Sequence, residues 1–262
     1  MTDYLKKTDL SGKTAFVTGG LGLIGLEVSR ALCAAGARTV VCDILPAAVA
    51  RKRLASLLSI GDVRYERLDI ASLPSIDGRL RGLAKKHGGM DVFVNNAYPR
   101  TKDWGTGVAK LKLSSWRKNV DMHMNSYAWL SRAACLLMSR KGGSLVNFGS
   151  IYGVLGPDFT VYEGTNIENP PAYAAIKGGI INFSRYLAAY FGPRGVRVNN
   201  ICPGGVFDGQ DPRFVAQYSK KVPMRRMARP DEIASAVLFL ACDTSSYITG
   251  QTLMADGGWS IV

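Results

Sequence analysis

The sequence predicts an α/β fold, a doubly wound parallel sheet in a single domain. Short apolar runs alternate with amphipathic helical stretches along the 262 residues. A parallel sheet covered by helices on both faces produces this alternation, because its strands are buried on both sides. A glycine-rich turn joins the first apolar run to the first helical stretch. Since no linker, repeat or low-complexity segment interrupts the pattern, we predict one domain over residues 1–262.

Seven strands and six helices are predicted in chain order. The strands are TAFVTGG, RTVVCD, VRYERLDI, DVFVNNA, GGSLVNFGS, GVRVNNICPGG and GQTLMADGG. The helices are LGLIGLEVSRALCAAGA, LPAAVARKRLASLL, SIDGRLRGLAKKHGG, a long stretch from Ser115 to Ser139, AYAAIKGGIINFSRYLAAYF and PDEIASAVLFLAC. Gly36 closes the first helix and Pro230 begins the last, as helix-end preferences expect. Two long loops are left over, at 98–114 and 153–171, and we expect them to contact the substrate.

The basic charge of the chain favours small anionic ligands over nucleic acid. The sequence has 33 Lys and Arg against 20 Asp and Glu, a net charge of +13. Its basic residues are dispersed, without the basic stripe interleaved with aromatic residues that nucleic-acid binders show. No apolar run approaches the ~18 residues of a membrane helix, and the start MTDYLKKTDLSGK has no hydrophobic segment. We therefore expect no nucleic-acid partner, no membrane span and no secretory signal.

The cysteines and histidines indicate neither a disulfide framework nor a metal site. Five cysteines are scattered without a CxxC pair, and several fall in apolar segments. Reduced thiols of this kind are typical of a cytoplasmic protein. The two histidines, His87 and His123, have no cysteine or carboxylate at metal-ligand spacing.

The turn after the first predicted strand has the pattern of a dinucleotide site. Gly20, Gly22 and Gly25 satisfy G-x-G-x-x-G between a strand and a helix. Glycines there let the chain approach a pyrophosphate, and the helix N-terminus supplies amide donors. Asp43 ends the second strand, where a carboxylate accepts ribose hydroxyls and repels a 2′-phosphate. We predict NAD rather than NADP, although Arg51 and Lys52 follow and could contribute to phosphate binding.

Tyr173 and Lys177 are the candidate acid–base pair. Residues four apart are neighbours on one helix face, and a cation beside a phenol favours the phenolate and lowers the phenol pKa. Tyr173 could then transfer a proton near neutral pH. This stretch taken alone favours the alternative, a surface tyrosine that packs over a lysine stem, so the rest of the chain must decide between them.

The assembled pattern resembles the short-chain dehydrogenase/reductase family, over nearly the whole chain. Its marks are TGGLGLIG from Thr18, Asp43, Asp69, NNA from Asn95, Ser150, YAAIK from Tyr173, and the pair Pro203 and Gly204. The resemblance implies a Rossmann fold, with Tyr173 as acid/base, Lys177 as its support and Ser150 orienting the substrate oxygen. The cofactor contacts that it implies are Gly19, Leu21, Gly22, Leu23, Ile24, Gly25, Asp43, Asp69, Ile70, Asn96, Ala97, Tyr173, Lys177, Pro203 and Val206.

Three departures from the family pattern bear on function. Leu23 replaces a glycine of the usual turn, and Tyr98 replaces the glycine of N-N-A-G. His123 falls near the position of the family's helix-borne Asn, so it is a further catalytic candidate as a proton relay with a near-neutral pKa. A packing histidine is the alternative.

The motifs VNNAYPR, SIYGV, YEGT, YAAIK and PGGVFD, with the insert between Gly153 and Pro171, resemble a subgroup from bacterial flagellin and surface-polysaccharide modification clusters. The implied substrate is a sugar or amino sugar, either free, phosphorylated or nucleotide-linked. The polar and aromatic residues of the insert lead to the hypothesis of a substrate-recognition lid. Tyr98, Tyr152 and Tyr162, with acids such as Asp158 and Glu163, would suit a polyol.

The sequence therefore predicts an NAD-dependent oxidoreductase that transfers hydride between nicotinamide and a carbinol or ketone carbon. An NADP-linked acyl-chain or xenobiotic ketoreductase on the same fold is one alternative, and a non-catalytic NAD-binding protein is another. An apolar patch at Ile181, Tyr186 and Ala189 predicts a homo-oligomer, a tetramer or dimer, which light scattering would detect.

Overall fold

Seven parallel strands form one central sheet in the computed structural model, which describes residues 3–262. The strands are β1 (Thr14–Thr18), β2 (Arg38–Asp43), β3 (Val63–Arg67), β4 (Val92–Asn95), β5 (Gly143–Phe148), β6 (Val196–Pro203) and β7 (Thr252–Ala255). Their order is β3-β2-β1-β4-β5-β6-β7, so the winding reverses between β1 and β4. The carboxyl ends of these two strands therefore border the crevice where doubly wound sheets bind ligands.

Helices cover both faces of the sheet. They are α1 (Leu23–Ala34), α2 (Ala47–Leu58), α3 (Leu73–Lys86), α4 (Leu113–Asn119), α5 (Ser126–Met138), α6 (Pro171–Phe191), α7 (Pro212–Lys221) and α8 (Pro230–Ala241). Helix α1 packs against α2 and α8, whereas α5 packs against α3 and α6. These contacts define the two helical layers of the predicted doubly wound, single-domain fold, which is confirmed.

The sheet is held by apolar side chains buried on both faces. All five residues of β1 and all four of β4 are buried. In the paired register, Val17 of β1 lies beside Val41 of β2 and Val94 of β4. Each large apolar side chain that is buried in this way contributes about 1.5–3 kcal/mol. The near-continuous apolar strands in the sequence follow from this burial.

The long predicted helix from Ser115 to Ser139 is interrupted by a π-helical segment. Helix α4 ends at Asn119, the π-helix spans Val120–Asn125, and α5 begins at Ser126. A π turn adds a residue to the helical repeat and often marks a functional site. It lies here in front of α6, which it contacts.

Helix α7 was not predicted, and the insert at 153–171 is more ordered than expected. Asp211 caps α7 by accepting a hydrogen bond from the Arg213 backbone N–H at 2.7 Å. The insert contains a 3₁₀ turn over Phe159–Tyr162 that packs against α7. Lys221 of α7 forms an ion pair with Asp158 at 2.7 Å, and Gln217 donates to the Thr160 carbonyl at 2.9 Å. The insert is therefore attached to α7.

A separate apolar core, the satellite cluster, joins the insert, α7 and the C-terminal segment. Its buried members are Ile151, Tyr152, Val161, Phe214, Tyr218, Val222, Met227 and Trp259. The ring of Tyr218 stacks on Trp259 at 4.6 Å, and Tyr162 stacks on Phe214 at 5.4 Å. Aromatic pairs of this kind contribute about 0.5–1.5 kcal/mol beyond their buried area.

The exposed patch on α6 contains only some of the residues that the sequence predicted for it. Ile181 is 3% exposed and belongs to the core, because it faces the sheet. Tyr186 and Tyr190 are exposed and stack at 6.4 Å, and Tyr186 also stacks on Phe183 at 6.0 Å. The exposed face of α6 is thus an aromatic ladder that includes Tyr186 but not Ile181.

The described residues include no helix that combines the length and apolar character of a membrane span. All five cysteines are free and buried.

Candidate active site

A cavity of about 940 Å³ opens at the carboxyl ends of the strands. It runs from the turn after β1 to the satellite cluster. Of the residues predicted to bind cofactor or substrate, those that line it are Gly19, Gly22, Leu23, Ile24, Gly25, Asp43, Asp69, Ile70, Asn96, Ala97, Ser150, Tyr173, Lys177, Pro203 and Val206. Leu21 and His123 do not line it. The structure therefore brings nearly all the predicted residues to one site.

The glycines of the turn let its backbone pack closely against the neighbouring chain. Gly19 has φ +61°, a conformation that favours glycine, and a Cβ there would lie 2.6 Å from the Ala97 Cα. A Cβ on Gly25 would collide with the Gly19 carbonyl oxygen. Asn96 holds the turn by donating from Nδ2 to the Gly19 carbonyl at 3.0 Å. The open cradle faces the N-terminus of α1, where amide donors and the helix dipole favour a phosphate.

Leu21 serves the site through its backbone. Its side chain is 1% exposed and packs in the core beneath α2, so it does not contact a ligand in the cavity. Its backbone N–H donates to Asp43 Oδ2 at 3.1 Å. The Leu45 N–H donates to Asp43 Oδ1 at 3.2 Å. Two amides therefore orient the Asp43 carboxylate at the end of β2.

The glycine turn, the helix N-terminus and the oriented Asp43 together fit a nicotinamide dinucleotide. In such a complex the cradle would hold the pyrophosphate, and Asp43 would hold the adenosine ribose. Asp69 and Ile70 line the same end of the cavity. Arg51 and Lys52 do not line it, whereas Arg53 of α2 donates to the Leu21 carbonyl at 2.8 Å.

Ser150, Tyr173 and Lys177 converge at the other end. Helix α6 carries Tyr173 and Lys177 one turn apart, and Ser150 follows β5. The Ser150 hydroxyl acts to lower the pKa of Tyr173, because a donor beside the phenol oxygen favours the phenolate. Lys177 is 3% exposed, and its Nζ donates to the Phe148 carbonyl at 2.7 Å. The geometry supports the acid–base reading over the surface-packing alternative.

Burial is the dominant influence on both ionisable groups. It raises the pKa of Tyr173 above its ordinary value, which is opposite to the expected lowering by Lys177. It also lowers the pKa of Lys177 to about 7. An ammonium that is half lost near neutrality stabilises a phenolate less than a full cation does.

Three aromatic rings surround the Lys177 ammonium. The Nζ atom lies 5.1 Å from the ring centroid of Tyr127, 5.6 Å from Tyr173 and 5.9 Å from Tyr98. The faces of aromatic rings attract cations. Tyr98 is itself held by Trp104, whose Nε1 donates to the Tyr98 hydroxyl at 2.6 Å. We call the rings of Tyr98, Tyr127 and Tyr173 the aromatic cage. Tyr98, which replaces the glycine of N-N-A-G, is thus part of this cage.

His123 lies behind the cage, in the π-helix. It is 0% exposed, and its ring centroid is 5.2 Å from Tyr98 and 5.1 Å from Tyr127. Neither ring nitrogen has a hydrogen-bond partner within residues 3–262. Burial, with Lys177 adding to it, lowers the pKa of His123 well below the ordinary 6.5. The ring is neutral at pH 7, which differs from the expected near-neutral pKa.

The substrate end is walled by tyrosines and by α7, which the sequence analysis missed. Tyr98, Tyr152 and Tyr162 line the cavity as expected, and Phe214 and Tyr218 of α7 join them. The amphipathic pattern of PRFVAQYSKK was the available signal. The expected acids do not take part: Asp158 pairs with Lys221, and Glu163 does not line the cavity.

No group of three His, Cys, Asp or Glu side chains is placed to hold a metal ion in the described part of the chain.

The low pKa of Lys177 predicts a pH-dependent stability. Between about pH 7 and 10.5, the unfolded chain holds a proton on this amine that the folded protein has released. The unfolding free energy should therefore rise with pH through this window, relative to Lys177→Met, by at most about 1.4 kcal/mol per pH unit. Urea unfolding at several pH values measures the difference. Lys118→Met, at an exposed position of α4, is the control. If the unfolding free energy changed equally with pH in wild type and in Lys177→Met, the lowered pKa of the buried Lys177 amine would be contradicted.

Comparison with known proteins identifies the family. The family model described as Enoyl-(Acyl carrier protein) reductase matches residues 22–260. The chain is 29% identical to post-translational flagellin modification protein A of Campylobacter coli, over 96% of this chain and 100% of that protein. It is 31% identical to galactitol 2-dehydrogenase (L-tagatose-forming) of Cereibacter sphaeroides, over 99% of both.

A solved structure of similar sequence supports the same family. A short-chain dehydrogenase from Leptospira borgpetersenii with bound NAD+ superposes with a TM-score of 0.85 at 31% identity, covering 99% of this chain and 96% of that one. The matched model begins at Gly22 and spans Gly25, the Ser150, Tyr173 and Lys177 set and the last strand. The chain therefore belongs to the short-chain dehydrogenase/reductase family, whose members are oxidoreductases of alcohols and ketones that use a nicotinamide cofactor.

Proposed function

We propose that this protein is an NAD(H)-dependent dehydrogenase/reductase of a sugar-type secondary carbinol. The observation that carries the proposal is the position of Ser150, Tyr173 and Lys177 in a cavity whose substrate end is walled by tyrosine hydroxyls. When bound, the nicotinamide accepts or supplies the hydride, and the protein supplies position and proton transfer.

Tyr173 carries the proton in this mechanism. In the oxidation direction its phenolate oxygen takes the proton of the substrate hydroxyl as the carbon is oxidised. In reduction the phenol returns a proton to the developing alkoxide. Ser150 hydrogen-bonds the same substrate oxygen and thereby fixes the reacting carbon. Lys177 favours the phenolate through its charge, which an anionic cofactor would strengthen by raising the lysine pKa.

A chain of hydrogen bonds directs one free hydroxyl proton at the substrate. Asn169 Nδ2 donates to the Tyr162 hydroxyl at 3.0 Å, and Tyr162 donates to the Tyr152 hydroxyl at 3.1 Å. The Tyr152 hydroxyl then keeps its own hydrogen for a cavity ligand. Burying the Tyr152 hydroxyl beside an acyl chain would leave its hydrogen unpaired, at a cost of about 1–3 kcal/mol. This chain supports a hydroxylated substrate over the acyl-chain alternative.

A non-catalytic NAD-binding role is the remaining alternative. It gives no reason for burying Lys177, since a buried amine without a negative partner is destabilising. Turnover of a polyol would exclude this alternative.

We propose a positioning role for His123. Its neutral ring contacts Tyr98 and Tyr127, both of which contact the Lys177 ammonium. It could also pass a proton if water reaches its unpartnered nitrogens, and His123→Asn would then preserve the pH profile that His123→Leu alters.

Assembly into a homo-oligomer is likewise a proposal. The exposed Tyr186 and Tyr190 ladder supports it, because large exposed aromatic patches mark interaction surfaces.

Tyr173→Phe should abolish turnover without removing cofactor binding. The substitution removes the transferable proton and keeps the ring in its cage. We expect kcat to fall by several orders of magnitude on any substrate identified in a sugar and polyol panel followed by NADH absorbance. Tyr186→Phe removes an exposed hydroxyl from the same helix and should leave turnover unchanged. Near-normal turnover of Tyr173→Phe would refute the assignment.

Asp43→Ala should weaken NADH binding and narrow the preference over NADPH. The change removes the ribose acceptor and the repulsion of a 2′-phosphate together. We expect a loss of about ten- to a hundredfold for NADH, as for hydrogen bonds to a charged group. Fluorescence titration measures both affinities, with Asp77→Ala, outside the cavity, as the control. A wild-type protein that prefers NADPH would show the NAD proposal to be wrong.

Tyr162→Phe should lower substrate affinity and leave NADH affinity unchanged. The ring keeps its stack on Phe214, while the link between Asn169 and Tyr152 is broken. We expect kcat/KM for a polyol to fall about tenfold. Phe159→Ala, on the exposed side of the same turn, is the control. An unchanged kcat/KM would contradict the proposal that the insert takes part in substrate recognition. Whether the insert moves as a lid stays a prediction, and it would have to move together with α7.

A further inference from the structure

Arg100 is the one arginine that lines the active-site cavity within residues 3–262. Its guanidinium lies over the ring of Tyr98, 5.0 Å from the centroid. The same ring contacts Tyr173 at 5.8 Å. The cation is therefore placed at the reacting end of the cavity, away from the nucleotide cradle.

The loop that carries Arg100 is fixed to α4. The backbone N–H of Thr101 donates to Asn119 Oδ1 at 3.0 Å, and Asn119 Nδ2 donates back to Thr101 Oγ1 at 2.8 Å. Asn119 is 2% exposed, so these bonds are sheltered from water. Asp103 extends the link by accepting from Ser115 Oγ at 3.0 Å. The backbone beside Arg100 is thus held in one position, which reduces the entropy lost when its side chain binds a ligand.

The Arg100 charge has no carboxylate partner among the described residues. Ion pairs occupy other arginines, such as Arg132 with Asp77 and Arg226 with Glu232, but none involves Arg100. Asp43 and Asp69 line the nucleotide end of the same cavity. Asp208, after β6, also lines the cavity and forms no ion pair with Arg100. A guanidinium stacked on an aromatic ring, with its remaining donors unpaired, is a ready site for an oxyanion.

We propose that Arg100 recognises an anionic substituent, a carboxylate or phosphate, on the substrate. The substrate class is then an acidic sugar derivative, whose carbinol meets Ser150 and Tyr173 while its anion meets Arg100. The statement that this substrate reacts at Ser150 and Tyr173 rests on the proposed function. The binding contact between Arg100 and the anion does not. The net charge of +13 would also attract such a substrate.

Binding of matched probes to the complex with NADH tests the contact without requiring turnover. The probes are D-gluconate and D-glucose 6-phosphate, each compared with the neutral six-carbon alditol sorbitol. We expect at least one anion to bind about tenfold or more tightly than sorbitol, as for a charged hydrogen bond. Arg100→Gln should abolish that preference. Arg100→Lys should restore part of it, because it keeps the charge and loses the planar fork.

Arg117→Gln is the matched control, since it removes one positive charge from the exposed face of α4. It should keep the preference for the anion. Whichever anion is preferred identifies the substituent as carboxylate or phosphate. Equal binding of anions and sorbitol, no binding of any anion, or an equal loss in Arg117→Gln would overturn the proposal. A loss of NADH affinity in Arg100→Gln would also overturn it, by assigning Arg100 to the cofactor. If Tyr173 proved not to be the acid/base, these binding results could still be interpreted, because binding does not require turnover.

Discussion

The burial of the Lys177 amine constrains the rest of the active site. A charged amine away from water is costly, and here it has one backbone carbonyl and three tyrosine rings around it. These contacts require α6 to lie close to the end of β5 and to the start of the insert. Gly153 permits that approach, because a Cβ there would come within 2.8 Å of the Lys177 backbone. The amine is consequently poised between charged and neutral forms.

The parallel sheet determines how the remaining groups meet. Asp43 ends β2, Asn96 follows β4, Ser150 follows β5, and Pro203 ends β6. Because all the strands run in one direction, these residues reach the same edge of the sheet. Each is then oriented locally, as Asp43 is by the Leu21 and Leu45 amides. These residues therefore come together at one edge of a sheet whose strands β1 and β4 are buried along their whole length.

The proposed substrate wall belongs to a different part of the structure. The insert, α7 and the C-terminal segment share the satellite cluster, which is separate from the core beneath the sheet. Ion pairs and hydrogen bonds at the surface tie the insert to α7, and such surface contacts are individually weak.

The sequence by itself determined the sheet, the glycine cradle, Asp43 and the Ser150, Tyr173 and Lys177 set, since periodicity and short spacings are local properties of the chain. Tertiary structure decided what depends on distant segments meeting. Helix α7 packs against the insert. Tyr98 accepts a hydrogen bond from Trp104 and contacts Lys177, which lies far along the chain. Protonation was decided in the same way. Spacing indicated that Lys177 lies beside Tyr173, but the burial that raises the tyrosine pKa and lowers the lysine pKa comes from the packing of the whole domain.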